Sequence, residues 1–208
     1  MKIKSDKKKT VSFLASGRGS NFTAVAENII SGNICADIGV LITDKANAKC
    51  KEKAARLGID SFFIDPKNFN SREDHEKEII KYLEKYNTDL VVASGYMRLL
   101  TPLFINRYKM QIINIHPSLL PSFAGKNAQK QALEHGVKIS GCTTHFMDEG
   151  TDTGPIILQA AVEIKKDDNE DTLSARILEQ EHRILSESVK LYCEDKISIY
   201  GRKVIILN

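Results

Sequence analysis

No apolar run in this sequence approaches the roughly 20 residues that a membrane-crossing helix requires; Asp89-Leu-Val-Val-Ala-Ser94 is among its longest. No spanning helix and no membrane partner are therefore expected. Proline is scarce, with 5 residues against 12 glycines, and no low-complexity stretch interrupts a chain that is 42% hydrophobic and 27% charged, so disorder over the body is not expected. Cysteine is sparse as well. Cys35, Cys50, Cys142 and Cys193 are scattered, with no C-x-x-C pair and no histidine at metal-ligand spacing. That argues against a disulfide framework and against a metal site, and for reduced thiols in a cytoplasmic protein. The body has little surplus charge: of the formal +3, residues 1–10 alone supply a net +4 through five lysines and one aspartate. A nucleic-acid binder spreads positive charge over a folded face or along a helix. Here it sits in a basic tail over residues 1–9, expected to be flexible and solvated, and no nucleic-acid partner is expected. No long apolar stretch follows the tail, so it is not a secretory signal.

What remains, residues 10–208, has the length and apolar content of one domain with a single core. Short β-branched runs alternate with longer amphipathic ones, the pattern of βαβ units. The expected strands are Thr10–Ala15, Asp37–Thr43, Ser61–Ile64, Thr88–Ala93, Gln111–Ile115, Ser140–Phe146 and Pro155–Ile164. The expected helices run from about Phe22 to Ile30, through Ala48–Leu57, from Ser71, near Pro102–Tyr108, over residues 127–136, and from about Thr172 to Cys193. Ser71 with Asp74 reads as a helix cap. Ile79, Ile80, Leu83 and Tyr86 form one apolar stripe on the helix that follows, with Arg72, Glu73, Asp74, Glu76 and Lys77 expected in solvent. Ile197–Leu207 reads as a hairpin turning at Gly201-Arg202. The architecture expected is α/β: a doubly wound, mostly parallel, Rossmann-like sheet with a C-terminal helix and hairpin.

Three constellations could carry chemistry. Ser16-Gly-Arg-Gly-Ser-Asn21 lies between a buried strand and a helix. Its glycines permit a tight turn, and free N–H groups at a helix start attract phosphate. Phe22 replaces the third glycine of the dinucleotide fingerprint, and the G-K-[ST] ending of a P-loop is missing, so an ordinary capped turn remains nearly as good a reading. Asn114 and His116 share one face at the end of a strand, where open α/β sheets place their ligands. Together they suit the polarisation of a carbonyl and the holding of an oxyanion. Between Phe146 and Pro155, Asp148 and Glu149 read as solvated, whereas Asp152, held between Gly150 and Gly154, is placed to favour an imidazolium and relay a proton. His145 reads either as a supporting residue or simply as a strand residue.

These residues resemble the phosphoribosylglycinamide formyltransferases, folate-dependent enzymes of purine biosynthesis. The matching runs are Leu14–Asn21, Ser71-Arg72, Gly95–Leu100, Asn114-Ile-His-Pro-Ser-Leu-Leu-Pro121, Gly141–Gln159 and Gln180-Glu-His182, in the family's order over nearly the whole length. The resemblance implies the formyltransferase fold, 10-formyltetrahydrofolate as cosubstrate, no metal, and small molecules as the only partners; monomer and homodimer both remain open. It implies that Gly19, Ser20 and Asn21 hold the ribonucleotide phosphate and Glu181 its ribose. Arg72, Met97, Arg98, Leu99, Leu100 and Asn114 would line the folate pocket, and Asn114, His116 and Asp152 would be catalytic. The family's Pro-Gly-x-His is replaced here by Ala124-Gly125-Lys126-Asn127, so an uncharged side chain stands where a histidine beside the aspartate is usual. Thr151 replaces a usual aliphatic residue.

Formyl-folate hydrolases and methionyl-tRNA formyltransferases share the Asn-x-His core. The hydrolases compared carry an extra N-terminal domain, where about ten residues precede the first strand here, and the tRNA enzyme needs an RNA-binding domain and a basic surface. A binding module without catalysis, suggested by Asn127, ranks below the transferase because Asn114, His116 and Asp152 are all present.

Overall fold

The computed structural model describes residues 7–207. Nine strands form one sheet among these residues: β1 (Lys9–Leu14), β2 (Ala36–Thr43), β3 (Ser61–Phe63), β4 (Leu90–Ala93), β5 (Ile112–His116), β6 (Ile139–Phe146), β7 (Ile156–Glu163), β8 (Ile197–Tyr200) and β9 (Lys203–Ile206). Six helices connect them: α1 (Ser20–Ile30), α2 (Lys49–Arg56), α3 (Arg72–Lys85), α4 (Pro102–Arg107), α5 (Ala128–Glu134) and α6 (Glu170–Cys193). The sheet order is β3-β2-β1-β4-β5-β6-β7-β9-β8. The first five strands are parallel, β6 runs antiparallel to both β5 and β7, and the terminal hairpin attaches with β9 parallel to β7. The expected α/β architecture is observed, with its antiparallel pairs confined to the second half.

Each face of the sheet buries its own cluster. Val11, Phe13, Leu41, Val92, Ile113 and Ile115 pack against α1, α2 and α6, with Phe13 and Phe22 meeting edge-to-face at 4.9 Å. Leu14, Ile42, Val91 and Ile112 point the other way, onto Ile79 and Leu83 of α3 and Phe104 of α4. The period-two alternation of the strands thus feeds two helical layers. Truncating Phe13 or Phe22, both fully buried, would cost about 3–5 kcal/mol. Among the described residues no helix is long and apolar enough to cross a membrane.

Several boundaries differ from those expected, each for a local reason. Residues 1–6 of the expected tail lie outside the described residues, but Lys9 begins β1, with its ammonium donating to the Tyr192 carbonyl (2.8 Å) and paired with Asp195. Helix α1 starts at Ser20, two residues early, because Gly19 ahead of it takes a left-handed conformation. Strand β4 starts only at Leu90: the Asp89 carboxylate instead accepts from Thr10 N (2.9 Å), and the Thr88 hydroxyl bonds the Ser12 hydroxyl (2.7 Å). Strand β5 runs on to His116, because β6 pairs Thr143 opposite it. Helix α6 starts at Glu170, where Asn169 and Thr172 cap each other reciprocally. Ser71 caps α3 by accepting from Asp74 N (3.0 Å), as expected.

Candidate active site

Helix α1 leaves the carboxyl end of β1 toward one face of the sheet, and α3 and α4 flank the other. The loops after β1, β4 and β5 therefore diverge around a crevice of the kind in which open α/β sheets bind ligands. Asn114 and His116 project there from the end of β5. Asn114 faces His145 directly across the antiparallel ladder, and the two side chains meet at 3.3 Å between Nδ2 and Nε2. His145 Nδ1 lies 2.9 Å from the Phe146 carbonyl. A carbonyl only accepts, so Nδ1 carries the proton and Nε2 offers its lone pair to the Asn114 amide. Burial holds the His145 imidazole below its ordinary pKa, consistent with this neutral form. One N–H of Asn114 is thereby fixed on His145, leaving the second free.

Asp152 reaches the same place from the β6–β7 loop. Its Oδ2 lies 3.3 Å from His116 Nδ1 and accepts from Gly125 N at 2.9 Å, while its Oδ1 lies 3.7 Å from His145 Nε2. The His116 and Asp152 side chains are only 6% and 12% exposed, so this polar cluster is largely withdrawn from water. Asn114, His116 and Asp152 thus belong to one polar cluster, Asn114 joining it through His145. His116 differs from expectation in one respect. Its Nε2 already donates to the Phe123 carbonyl (2.8 Å), so both ring nitrogens face acceptors and neither is free to bond an oxyanion directly.

The phosphate-binding candidates gather at the start of α1. Gly19 sits at φ +64° as the N-cap, and no side chain caps the helix, which leaves its first N–H groups open to an anion. Only glycine fits here, since a Cβ would lie 2.5 Å from Cys50 Cβ. Asn21, 9% exposed, donates from Nδ2 to Glu181 Oε2 at 2.8 Å across 160 residues, and its buried Oδ1 has no partner. Burial raises the Glu181 pKa against the lowering effects of the Asn21 hydrogen bond and the His116 and Arg18 charges. Glu181 and Asn21 thus form an acceptor-rich pocket wall beside the helix start, suited to hydroxyl or ammonium donors.

The folate candidates follow β4. Met97 and Leu99 are 71% and 59% exposed, an unusual state for two large apolar side chains in succession around Arg98. Ser16 ties this segment to the glycine turn by accepting from Met97 N (2.9 Å), and Leu100 packs on the α3–α4 cluster. Arg72 opens α3 and is exposed; among the described residues no hydrogen bond or ion pair joins it to Met97–Leu100. Asn127 is exposed in a left-handed conformation at the start of α5. The group bonded to Asp152 is the backbone of Gly125, two residues earlier.

Several contributors were not singled out from the sequence. Glu76, expected in solvent, is instead 3% exposed, because it accepts from both the amide and the hydroxyl of Thr101 and so anchors the end of the Met97–Leu100 segment on α3. Phe123 supplies the carbonyl that fixes His116. Thr143 Oγ1 donates to the Ser118 carbonyl (2.7 Å) and accepts from Leu120 N (3.0 Å) and Gln159 Nε2 (3.0 Å), holding the loop that carries Phe123 and Gly125. Among the described residues no three His, Cys, Asp or Glu side chains cluster to hold a metal ion.

Residues 9–189 match the family model described as formyl transferase. The trifunctional purine biosynthetic protein adenosine-3 of Drosophila melanogaster is 44% identical over 183 residues, covering 87% of this chain but 14% of that protein. The chain spans between 13% and 20% of the length of such trifunctional relatives. The phosphoribosylglycinamide formyltransferase of Bacillus subtilis (strain 168) is 41% identical over 182 residues, 88% of this chain and 93% of that one. The crystal structure of glycinamide ribonucleotide transformylase 1 from Symbiobacterium toebii superposes with a TM-score of 0.96 at 42% identity, covering 100% of this chain and 99% of that one.

Proposed function

Because the chain belongs to the formyl transferase family, we propose that it transfers the formyl group of 10-formyltetrahydrofolate to the amine of phosphoribosylglycinamide, a step of de novo purine biosynthesis. The observation that carries this reading is the convergence of Asn114, His116 and Asp152 beside the open start of α1.

The ribonucleotide phosphate binds the first N–H groups of α1 at Gly19, Ser20 and Asn21, and Glu181 with the unpartnered Asn21 Oδ1 receives hydroxyl donors of the ribose. The folate lies along Met97, Arg98, Leu99 and Leu100, its apolar ring system against the exposed Met97 and Leu99, with Arg72 at the mouth. The amine nitrogen attacks the formyl carbon, forming a C–N bond and a tetrahedral oxyanion. The free N–H of Asn114 bonds that oxygen directly, its orientation fixed by His145. His116, as an imidazolium between the Phe123 carbonyl and Asp152, contributes positive charge close by. The attacking nitrogen loses a proton to the Asp152 carboxylate through water. The same proton passes to N10 of the folate as the old C–N bond breaks, releasing tetrahydrofolate and the formylated amide. No covalent enzyme intermediate is formed.

The test is a transfer assay with the purified chain, glycinamide ribonucleotide and the formyl folate. Tetrahydrofolate release well above that of His116→Ala is expected, and release no faster than that control would refute the proposal. Formate release in the absence of the amine would instead indicate hydrolysis.

A further inference from the structure

The C-terminal hairpin lies outside the site, yet one of its side chains reaches the loop that carries Asp152. Asp152 holds φ at +55°, a left-handed conformation that aspartate tolerates better than most residues. Inside the loop, Asp148 accepts from Gly150 N (3.1 Å) and from the Thr153 hydroxyl (2.7 Å), closing the loop on itself. Gly154 presses on the strand end so tightly that a Cβ would lie 1.8 Å from the Phe146 carbonyl oxygen. On the carboxylate side, Gly125, His116 and His145 hold the Asp152 head group. On the backbone side, the Arg202 guanidinium donates to the Thr153 carbonyl at 2.8 Å, one peptide beyond Asp152.

That contact follows from the hairpin's register. Strand β9 meets β7 in parallel with Lys203 opposite Ile156, which sets the preceding residue, Arg202, beside the outgoing stem of the loop. Gly201 at φ +60° makes the turn tight enough to present the side chain there. Arg202 forms no ion pair among the described residues, and this carbonyl is its one described hydrogen-bond partner. A guanidinium on a backbone carbonyl fixes that peptide in orientation as well as position, because the donor is planar and rigid.

We propose that Arg202 is a positioning residue: by clamping the Thr153 carbonyl it keeps Asp152 in its left-handed conformation and its carboxylate on His116. The role rests on the reading of Asp152 as the proton relay. The clamp acts on the chemical step, since Arg202 touches neither the start of α1 nor the Met97–Leu100 segment.

Arg202→Ala, Arg202→Lys and, as a control in the same turn, Lys203→Ala are compared with the wild type. For Arg202→Ala, kcat falls about tenfold, because sub-ångström misplacement of a relay group costs one to two orders of magnitude, while KM for both substrates stays within twofold. The ring NMR resonances of His116 and His145, which Asp152 contacts, move in Arg202→Ala and stay in place in Lys203→Ala. Arg202→Lys, which keeps a single donor, recovers part of kcat and returns the resonances toward their wild-type positions. Unmoved ring resonances in Arg202→Ala overturn the proposal whatever happens to kcat, as does a wild-type kcat. If the wild-type chain transfers no formyl group, the functional reading fails, and the resonances still decide whether Arg202 sets Asp152.

Discussion

Replacing Asp152 by asparagine isolates charge from shape. The carboxamide has nearly the carboxylate's outline, so its oxygen can still accept from Gly125 N, now 2.9 Å away. Removing one partner of the largely buried His116–Asp152 charge pair should cost folding about 3–5 kcal/mol. What disappears is a negative charge 3.3 Å from His116 Nδ1. Two unit charges at that distance interact by about 5 kcal/mol at an effective dielectric of about 20. As an upper bound this corresponds to between three and four orders of magnitude in rate, at about 1.4 kcal/mol for each factor of ten. Loss of the proton relay alone removes about a hundredfold to ten-thousandfold. The expected outcome for Asp152→Asn is a fall in kcat of at least a hundredfold, with KM for both substrates within about threefold of wild type. The assay is steady-state tetrahydrofolate release, run beside a thermal melt to show that the variant is folded. A folded variant retaining more than a tenth of wild-type kcat would refute the assignment of Asp152.

Three other substitutions probe the support around it. His145→Gln should lower kcat about tenfold by freeing the Asn114 amide. Because burial depresses the His145 pKa, the unfolded chain takes up its proton first, so wild-type stability should decline as pH falls below the ordinary histidine value of 6.5 and decline less in the variant, read from urea melts at pH 8 and pH 5. Glu181→Gln should raise KM for the ribonucleotide at least tenfold. The raised pKa of Glu181 means that wild-type stability falls as pH climbs from 4.5 through the folded value; the variant escapes this and should melt higher near neutrality, a result that equal melting temperatures would contradict. Gly19→Ala, forced into φ +64° with its Cβ 2.5 Å from Cys50, should destabilise by about 1–3 kcal/mol and weaken binding of ribose 5-phosphate by calorimetry.

The fold was legible because its signals are local. β-Branched runs, helix stripes, the Ser71 cap and the Gly201-Arg202 turn each depend on neighbours within a few residues, and the structure places them within one to three residues of expectation. The candidate site was legible for a related reason: Asn114 and His116 sit two apart at a strand end, and Asp152 lies between two glycines. What could not be read depends on register between distant segments. His145 orients Asn114 only because β6 pairs antiparallel with β5 in a register that puts the two side by side. The Asn21–Glu181 contact needs α1 and α6 to pack at one height. Phe123 and Gly125 act through backbone atoms, which carry no side-chain signature, so the Phe123 carbonyl that occupies His116 Nε2 could not be foreseen.

The backbone itself singles out the same region. Of the six non-glycine residues with positive φ among the described residues, Phe123, Asn127 and Asp152 lie in the two loops that close over His116. Each such residue costs about 1–3 kcal/mol unless its side chain eases the conformation. Asparagine and aspartate tolerate it far better than most residues, which gives Asn127 a structural reason to stand at the start of α5 even though it does not touch Asp152. Phenylalanine has no such relief, so the cost at Phe123 is met by what its backbone gains: a carbonyl pointed at His116 Nε2. A strained residue whose carbonyl holds the His116 imidazole orients that ring within the fold. The loops around β5 are therefore less stable than ideal turns would be, and that deficit lies around the candidate site.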